Sequence, residues 1–143
     1  FEKIPMSFVK KDQRKILLAT WNQEYVSDKF GRSIKSLFQT VGQVRKFSPY
    51  ISFWLTQGLT GHGQFGKYLK EFGLTSDASC QCGHQEQSVR HLRFECPLAA
   101  FLRRDYDTAK NMCMSPVERI RIEAVLYEQL AMLANQLRGG IHR

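Results

Sequence analysis

Three cysteines and one histidine fall within seventeen residues, as Cys80-x-Cys82-x8-His91-x4-Cys96. Three thiolates and an imidazole are the ligand set of a four-coordinate zinc site. A catalytic zinc keeps one position open for water, whereas four protein ligands close the shell, so the expected role is structural. Cys80-Gln81-Cys82-Gly83 reads as a knuckle, with Gly83 letting the backbone bend around the ion. His91 falls on a short helix that starts near Ser88, and Cys96 stands just before Pro97. With Zn²⁺ the site would carry about −1 of charge, which Arg90 and Arg93 would offset. His84 is a competing ligand, but it sits close to Cys82 for ordinary finger geometry. Cys113 has no partner at ligand spacing and reads as an idle thiol. The plainer alternative is a set of free cysteines in a small core.

No second constellation points to catalysis. G-x-S-x-G and H-E-x-x-H are absent, and Asp12, Asp28, Asp77, Asp105 and Asp107 are scattered rather than paired for a two-metal nuclease. The chain is expected to carry no catalytic residue. With 143 residues, 43% of them hydrophobic, and ten Phe, it has the means to bury a core. A net charge of +8, spread along the chain, favours an anionic polymer as partner, with general solubility as the bland alternative. No run of about 18 apolar residues is present, so no membrane span is expected. The start, Phe1-Glu2-Lys3-Ile4-Pro5, lacks Met and a signal-type apolar stretch, which reads as a fragment of something longer. Cysteines set for metal rather than disulfides imply a reducing compartment, nucleus or cytoplasm.

The elements that must position the cluster read as helices. Residues 8–29 carry a stripe of Leu17, Leu18, Trp21 and Tyr25, expected as core, and a basic run of Lys10, Lys11, Arg14 and Lys15. Gly31 would end that helix. Residues 32–47, with Ile34, Leu37, Phe38, Val41 and Val44, admit strand or irregular backbone. Ser48-Pro49 reads as the start of a short helix over 50–57. Gly58, Gly61, Gly63 and Gly66 follow. They suit a tight interhelical turn better than a phosphate cradle, since no Walker-type Lys-Ser/Thr comes after them. Phe65, Tyr68, Leu69 and Phe72 mark another helix, closed by Gly73. Pro97 begins the next, with Leu98, Phe101 and Leu102 inward and Arg103 and Arg104 outward; residues 106–114 read as a polar connection. Ser115-Pro116-Val117-Glu118 is a capping-box start for a helix to about Arg138, with Ile122, Leu126, Leu130, Leu133 and Leu137 inward and Gly139-Gly140 as the stop. The expected fold is mainly α: a small helical domain with an embedded Cys3His zinc knuckle and one small hairpin at the metal. The whole of 1–143 reads as a single module, divided into 1–47, 48–105 and 115–138.

The stretch LTQGLTGHGQFGKYLKEFGLTSDASCQCGHQEQSVRHLRFECP resembles the carboxyl-terminal segment of non-LTR (LINE-type) retrotransposon reverse-transcriptase polyproteins. The likeness is closest to elements that insert into ribosomal-DNA or telomeric repeats. It is carried by Leu59-Thr60-Gly61-His62-Gly63, Phe65, Tyr68-Leu69, Phe72, Cys80, Cys82, His91 and Cys96-Pro97. Trp21, Tyr25 and Gly31-Arg32 resemble an upstream family segment, with Tyr in place of a second Trp. The resemblance implies a parent endonuclease and reverse transcriptase whose catalytic centres lie upstream. This segment would then be a Zn²⁺-dependent part holding element RNA, target DNA or both during target-primed reverse transcription. The spacing departs from the retroviral nucleocapsid knuckle C-x2-C-x4-H-x4-C, so that knuckle's base pocket is not carried over.

Lys67, Lys70, Arg90, Arg93, Arg103 and Arg104 surround the cluster in sequence and are the candidate phosphate contacts. Phe94 and Tyr68 are candidates for stacking on unpaired bases. The competing reading is a protein-interaction or architectural module that docks onto the polymerase body or a host factor. A host-recruited derivative of such an element is a third.

Overall fold

The computed structural model describes residues 3–30 and 32–139. Gly31 and Gly140, read from sequence as helix stops, lie outside these residues. The chain divides into two compact units, Phe1–Pro49 and Tyr50–Arg143. Among the described residues there is no strand, and the fold is mainly α.

In the first unit, α1 (Met6–Ser27) is followed by α2 (Arg32–Leu37) and α3 (Val41–Phe47). The stretch 32–47 is thus helical except at residues 38–40. Thr40 caps α3 by accepting from Gln43 N, and α3 is tied to α1 where Asn22 Oδ1 accepts from Val41 N at 3.1 Å. The Tyr25 hydroxyl donates to Phe38 O at 2.6 Å, and Phe38 and Val41 are buried. The α1 stripe is not core: Leu17 is 69% and Trp21 50% exposed, and no described residue of α1 is buried. Besides Val9, the edge with Leu18, Asn22 and Tyr25 is partly covered, since the short α3 spans a narrow face.

The second unit contains α4 (Phe53–Thr60), α5 (Gly66–Glu71), α6 (Val89–Phe94), α7 (Ala100–Met112) and α8 (Pro116–Leu137). Helix α4 starts at Ser52, whose hydroxyl accepts from Leu55 N, rather than at Ser48. Ser48 instead opens a 3-10 turn, Ser48–Tyr50, and its hydroxyl donates back to Arg45 O. Residues 106–112 continue α7 instead of forming a connection, because Tyr106 is buried and anchors that turn. Ser115 caps α8 as expected, accepting from Glu118 N, while the Glu118 carboxylate reaches Met114 N.

The long α8 is the spine on which α4, α6 and α7 pack. Its buried face is Ile120, Glu123, Leu126, Tyr127, Leu130, Ala131 and Ala134. That face is rotated from the expected one: Leu126 and Leu130 are buried, but Ile122, Leu133 and Leu137 are only half-buried. The rotation arises because small and polar residues, Ala131, Ala134 and Glu123, occupy inward positions.

Glu123 is buried yet partnered. The Tyr106 hydroxyl donates to it, and Arg119 and Arg93 lie at 3.6 and 4.0 Å. Burial, and then the Glu123 carboxylate, push the Tyr106 phenol up to about 12. A phenol raised in the folded state favours folding fully below its unfolded pKa of about 10 and loses that contribution as pH rises towards 12. The chain should therefore lose on the order of 2 kcal/mol of stability across that window. Tyr106→Phe should be less stable at neutral pH but flatter between pH 10 and 12, as measured by denaturant titration. Parallel pH profiles for the two proteins would contradict this.

Candidate metal centre

The cluster is assembled by a loop and two helix ends. Cys80 and Cys82 sit on the turn that follows Ala78. Its backbone is closed by Gln87 N–H to Ala78 O at 2.6 Å, Cys80 N–H to His84 O at 2.9 Å and Gly83 N–H to Cys80 O at 3.0 Å. The hairpin expected from sequence is thus a turn-closed loop without strands. Gly83 adopts φ 98, the left-handed region that a knuckle of this tightness needs. Ser88 caps α6 by accepting from His91 N at 3.0 Å and so fixes the start of the helix that presents His91. Cys96 lies directly after α6, and its N–H bonds to His91 O at 2.7 Å.

The four ligand atoms lie within 4.8 Å of one another. Cys80 Sγ is 3.8 Å from Cys96 Sγ, and Cys82 Sγ is 3.2 Å from His91 Nε2. Two thiolates at about 2.3 Å from a tetrahedral zinc are about 3.8 Å apart, whereas a disulfide requires about 2.05 Å. All four cysteines are free, and Cys113 lies outside the cluster, its thiol donating to Ser115 O. Cys80, His91 and Cys96 are buried and Cys82 is half-buried, so the enclosure suits a closed structural site.

The protonation chemistry fits the same donor set. Burial, ahead of the neighbouring His84, lowers His91 and keeps its imidazole neutral, the form that ligates. Nδ1 of His91 is buried without a hydrogen-bond partner, and the Glu95 carboxylate stands 3.6 Å away. With Nε2 turned to a metal, the remaining proton belongs on Nδ1, where Glu95 can accept it. Burial pushes the Cys80 thiol up to about 12. Burial also acts to raise Cys82, but hydrogen bonding from the His84 backbone and from the Cys80 and Cys96 thiols outweighs it and leaves Cys82 lowered. A metal would have to displace protons from such thiols, and bound there it would crosslink the loop to α6 and to the start of the following helical segment. The residues present fit Zn²⁺, with Cys80, Cys82, His91 and Cys96 as the holders.

The His84 ring stacks on His91 with centroids 4.1 Å apart, and His84 Nε2 lies 4.0 Å from Glu95. His84, His91 and Glu95 form a second grouping of potential ligand atoms beside the first. Sequence reasoning missed Glu95, although its i,i+4 spacing from His91 was available as a signal.

The six basic candidates separate into two sets. Lys70, Arg90 and Arg104 are exposed, and Lys67 is exposed but 3.1 Å from Glu86. Arg90 lies 3.8 Å from Glu95. Arg103, expected outward, turns inward and donates to Leu92 O at 2.9 Å and Cys96 O at 2.7 Å. Arg93 stacks over the Tyr106 ring at 4.3 Å and faces Glu123, so it ties α6 to α7 and α8 instead of offsetting the thiolates. Leu98 and Phe101, expected inward, are exposed, whereas Leu102 is buried. Inward-turned Arg103 takes space beside the cluster.

Gln87 was also invisible from sequence. Fully buried, its side chain accepts from Gly66 N at 3.0 Å and from Arg138 Nη1 at 2.7 Å, and donates to Ala134 O at 3.2 Å. One amide thus joins the glycine turn and the knuckle loop to the end of α8.

Relatives of the chain include the retrovirus-related Pol polyprotein from type-1 retrotransposable element R1 of Bradysia coprophila, 35% identical over 89 residues. That match covers 61% of this chain and 9% of the relative. The corresponding R1 2 polyprotein of Nasonia vitripennis is 28% identical over 98 residues, covering 66% of this chain and 23% of the relative. The chain therefore spans less than a quarter of either relative's length. No family model matches it, and no solved structure does. It is a small helical protein distantly related to retrotransposon Pol polyproteins, with a Cys-Cys-His-Cys cluster compatible with a metal. No helix among the described residues is long and apolar enough to cross a membrane.

Proposed function

We propose that this chain is a zinc-stabilised nucleic-acid-binding module of a retrotransposon reverse transcriptase. It holds element RNA or target DNA near the polymerase during target-primed reverse transcription and performs no chemistry itself. The carrying observation is a closed, buried Cys3His cluster in a chain of net charge +8 that is distantly related to Pol polyproteins. The metal shapes the fold, and Lys70, Arg90 and Arg104, exposed and near the cluster in sequence, meet the phosphates. Its partners are nucleic acid and the remainder of a parent polyprotein, in nucleus and cytoplasm.

A salt series tests this. Affinity for RNA or DNA should fall steeply with salt, and replacing Lys70, Arg90 and Arg104 together by Glu should reduce the log–log slope by roughly 2 to 3, about 0.7–0.9 for each phosphate no longer neutralised. Binding that stays flat between low and moderate salt would sink the proposal.

Two observations favour the second reading, a docking module for the polymerase body or a host factor. Helix α1 leaves Leu17 and Trp21 exposed, and an apolar groove lined by Ala109, Ile122 and Val125 opens between α7 and α8. Self-association without any nucleic-acid shift would select this reading.

A further inference from the structure

The glycine-rich turn between α4 and α5 contributes no ligand to the metal cluster, yet it sets three rings in a row. The His62 ring lies 4.8 Å from Tyr68, and Tyr68 lies 4.6 Å from Phe72, with interplanar angles of 32° and 42°. Gly61 at φ 74 and Gly63 at φ 97 bracket His62 in a conformation that side chains resist. The His62 N–H is held by Gln57 O at 3.1 Å, and a Cβ on Gly63 would meet Gln57 Oε1 at 2.4 Å. The turn is therefore a fixed mount for the first ring.

Tyr68 is half-buried and forms the base of the row, while His62 is exposed and Phe72 is 63% exposed. The rings adjoin a basic element. Helix α5 is six residues long, so its side chains all spring from within about 9 Å of one another along the axis. Lys67 and Lys70 lie on it, and Lys70 has no ion-pair partner among the described residues.

The geometry points to a base-stacking platform: the exposed end rings of the His62–Tyr68–Phe72 row take unpaired bases of a single-stranded nucleic acid, whose phosphates reach Lys70. This deepens the nucleic-acid reading above and rests on it, adding a strand class and a site. Every base has a flat π face to offer, whereas a duplex keeps its base faces occupied by its own stacking. The platform is sequence-tolerant for the same reason.

The test uses the full zinc-loaded chain and three labelled probes of equal length: a uridylate 12-mer, the same backbone without bases, and a duplex. The 12-mer should bind about tenfold more tightly than the abasic strand, and Phe72→Ala should remove that advantage without changing the salt slope or duplex affinity. Phe72→Leu, which keeps apolar bulk but no ring face, should lose the advantage as well, and it serves if the alanine variant folds poorly. Equal binding of normal and abasic strands overturns the platform. So does unchanged affinity in both Phe72 variants. If Lys70→Glu still weakens binding in that case, the broader nucleic-acid reading survives the platform's failure. No binding to any probe at low salt overturns both. Phe72 variants that alter only self-association or a protein contact assign the rings to a protein interface instead, and overturn the platform.

Discussion

Chelating the metal, or replacing Cys96 by Ser, is expected to unfold the whole Tyr50–Arg143 unit rather than the knuckle loop alone. Cys96 is fully buried, and its carbonyl is held by Arg103 of α7. Arg93, two residues after His91, stacks on Tyr106 and faces Glu123 of α8. Gln87, within the loop, is bonded to Ala134 and Arg138 at the end of α8. Opening the loop would strand the buried Gln87 amide and take partners from the half-buried Arg93 and Arg103, at a cost of about 1–3 kcal/mol for each orphaned group. Structural zinc contributes about 10 kcal/mol or more in small domains, comparable to the 5–15 kcal/mol total stability of a typical domain. Far-ultraviolet circular dichroism with and without chelator should show cooperative loss of helix. Cys113→Ser, changed outside the cluster, should retain metal and melting temperature. A chelated chain that keeps its helix signal and its unfolding midpoint would refute the ligand assignment.

The second large effect reverses an ordinary sign. Glycine to alanine inside a helix normally stabilises by about 0.8–1 kcal/mol. At Gly58 it should destabilise by about 3 kcal/mol, because overpacking in a fixed core costs on that order and occasionally more. A Cβ there would lie 2.0 Å from Cγ of Tyr127, and both the glycine and the ring are buried. The ring belongs to α8, the spine, so α4 would have to move off it. Thermal melts of Gly58→Ala should show the loss, and Gly58→Ala with Tyr127→Leu should recover part of it. Gly58→Ala melting at or above the parent would show that α4 and α8 do not approach this closely.

The features legible in sequence were local ones. The Cys/His spacing pointed to a compact cluster, and Ser88, Ser115-Pro116 and Gly83 marked the turns and caps that shape it, because a cap or knuckle is decided within a few residues. What escaped were positions decided by distant partners. Arg103 read as solvent-facing because a charge beside a second charge, Arg104, usually is, yet it bonds the carbonyls of Leu92 and Cys96. Glu123 and Ala134 lie outside the stripe expected for α8, yet they face inward, one satisfied by Tyr106 and the other leaving room for Gln87. Leu17 and Trp21 read as core because their spacing is helical, but periodicity reports a face and not whether anything covers it.

Gln87 has a further consequence for where this molecule can be cut. The recognisable Cys/His text ends at Pro97, but the amide in the middle of it completes its bonding only with residues 47 and 51 positions downstream. A fragment trimmed to the motif would keep all four metal-compatible residues and lose the two groups that make Gln87 tolerable in the interior. A piece that keeps the Gln87 amide fully bonded reaches at least to Arg138.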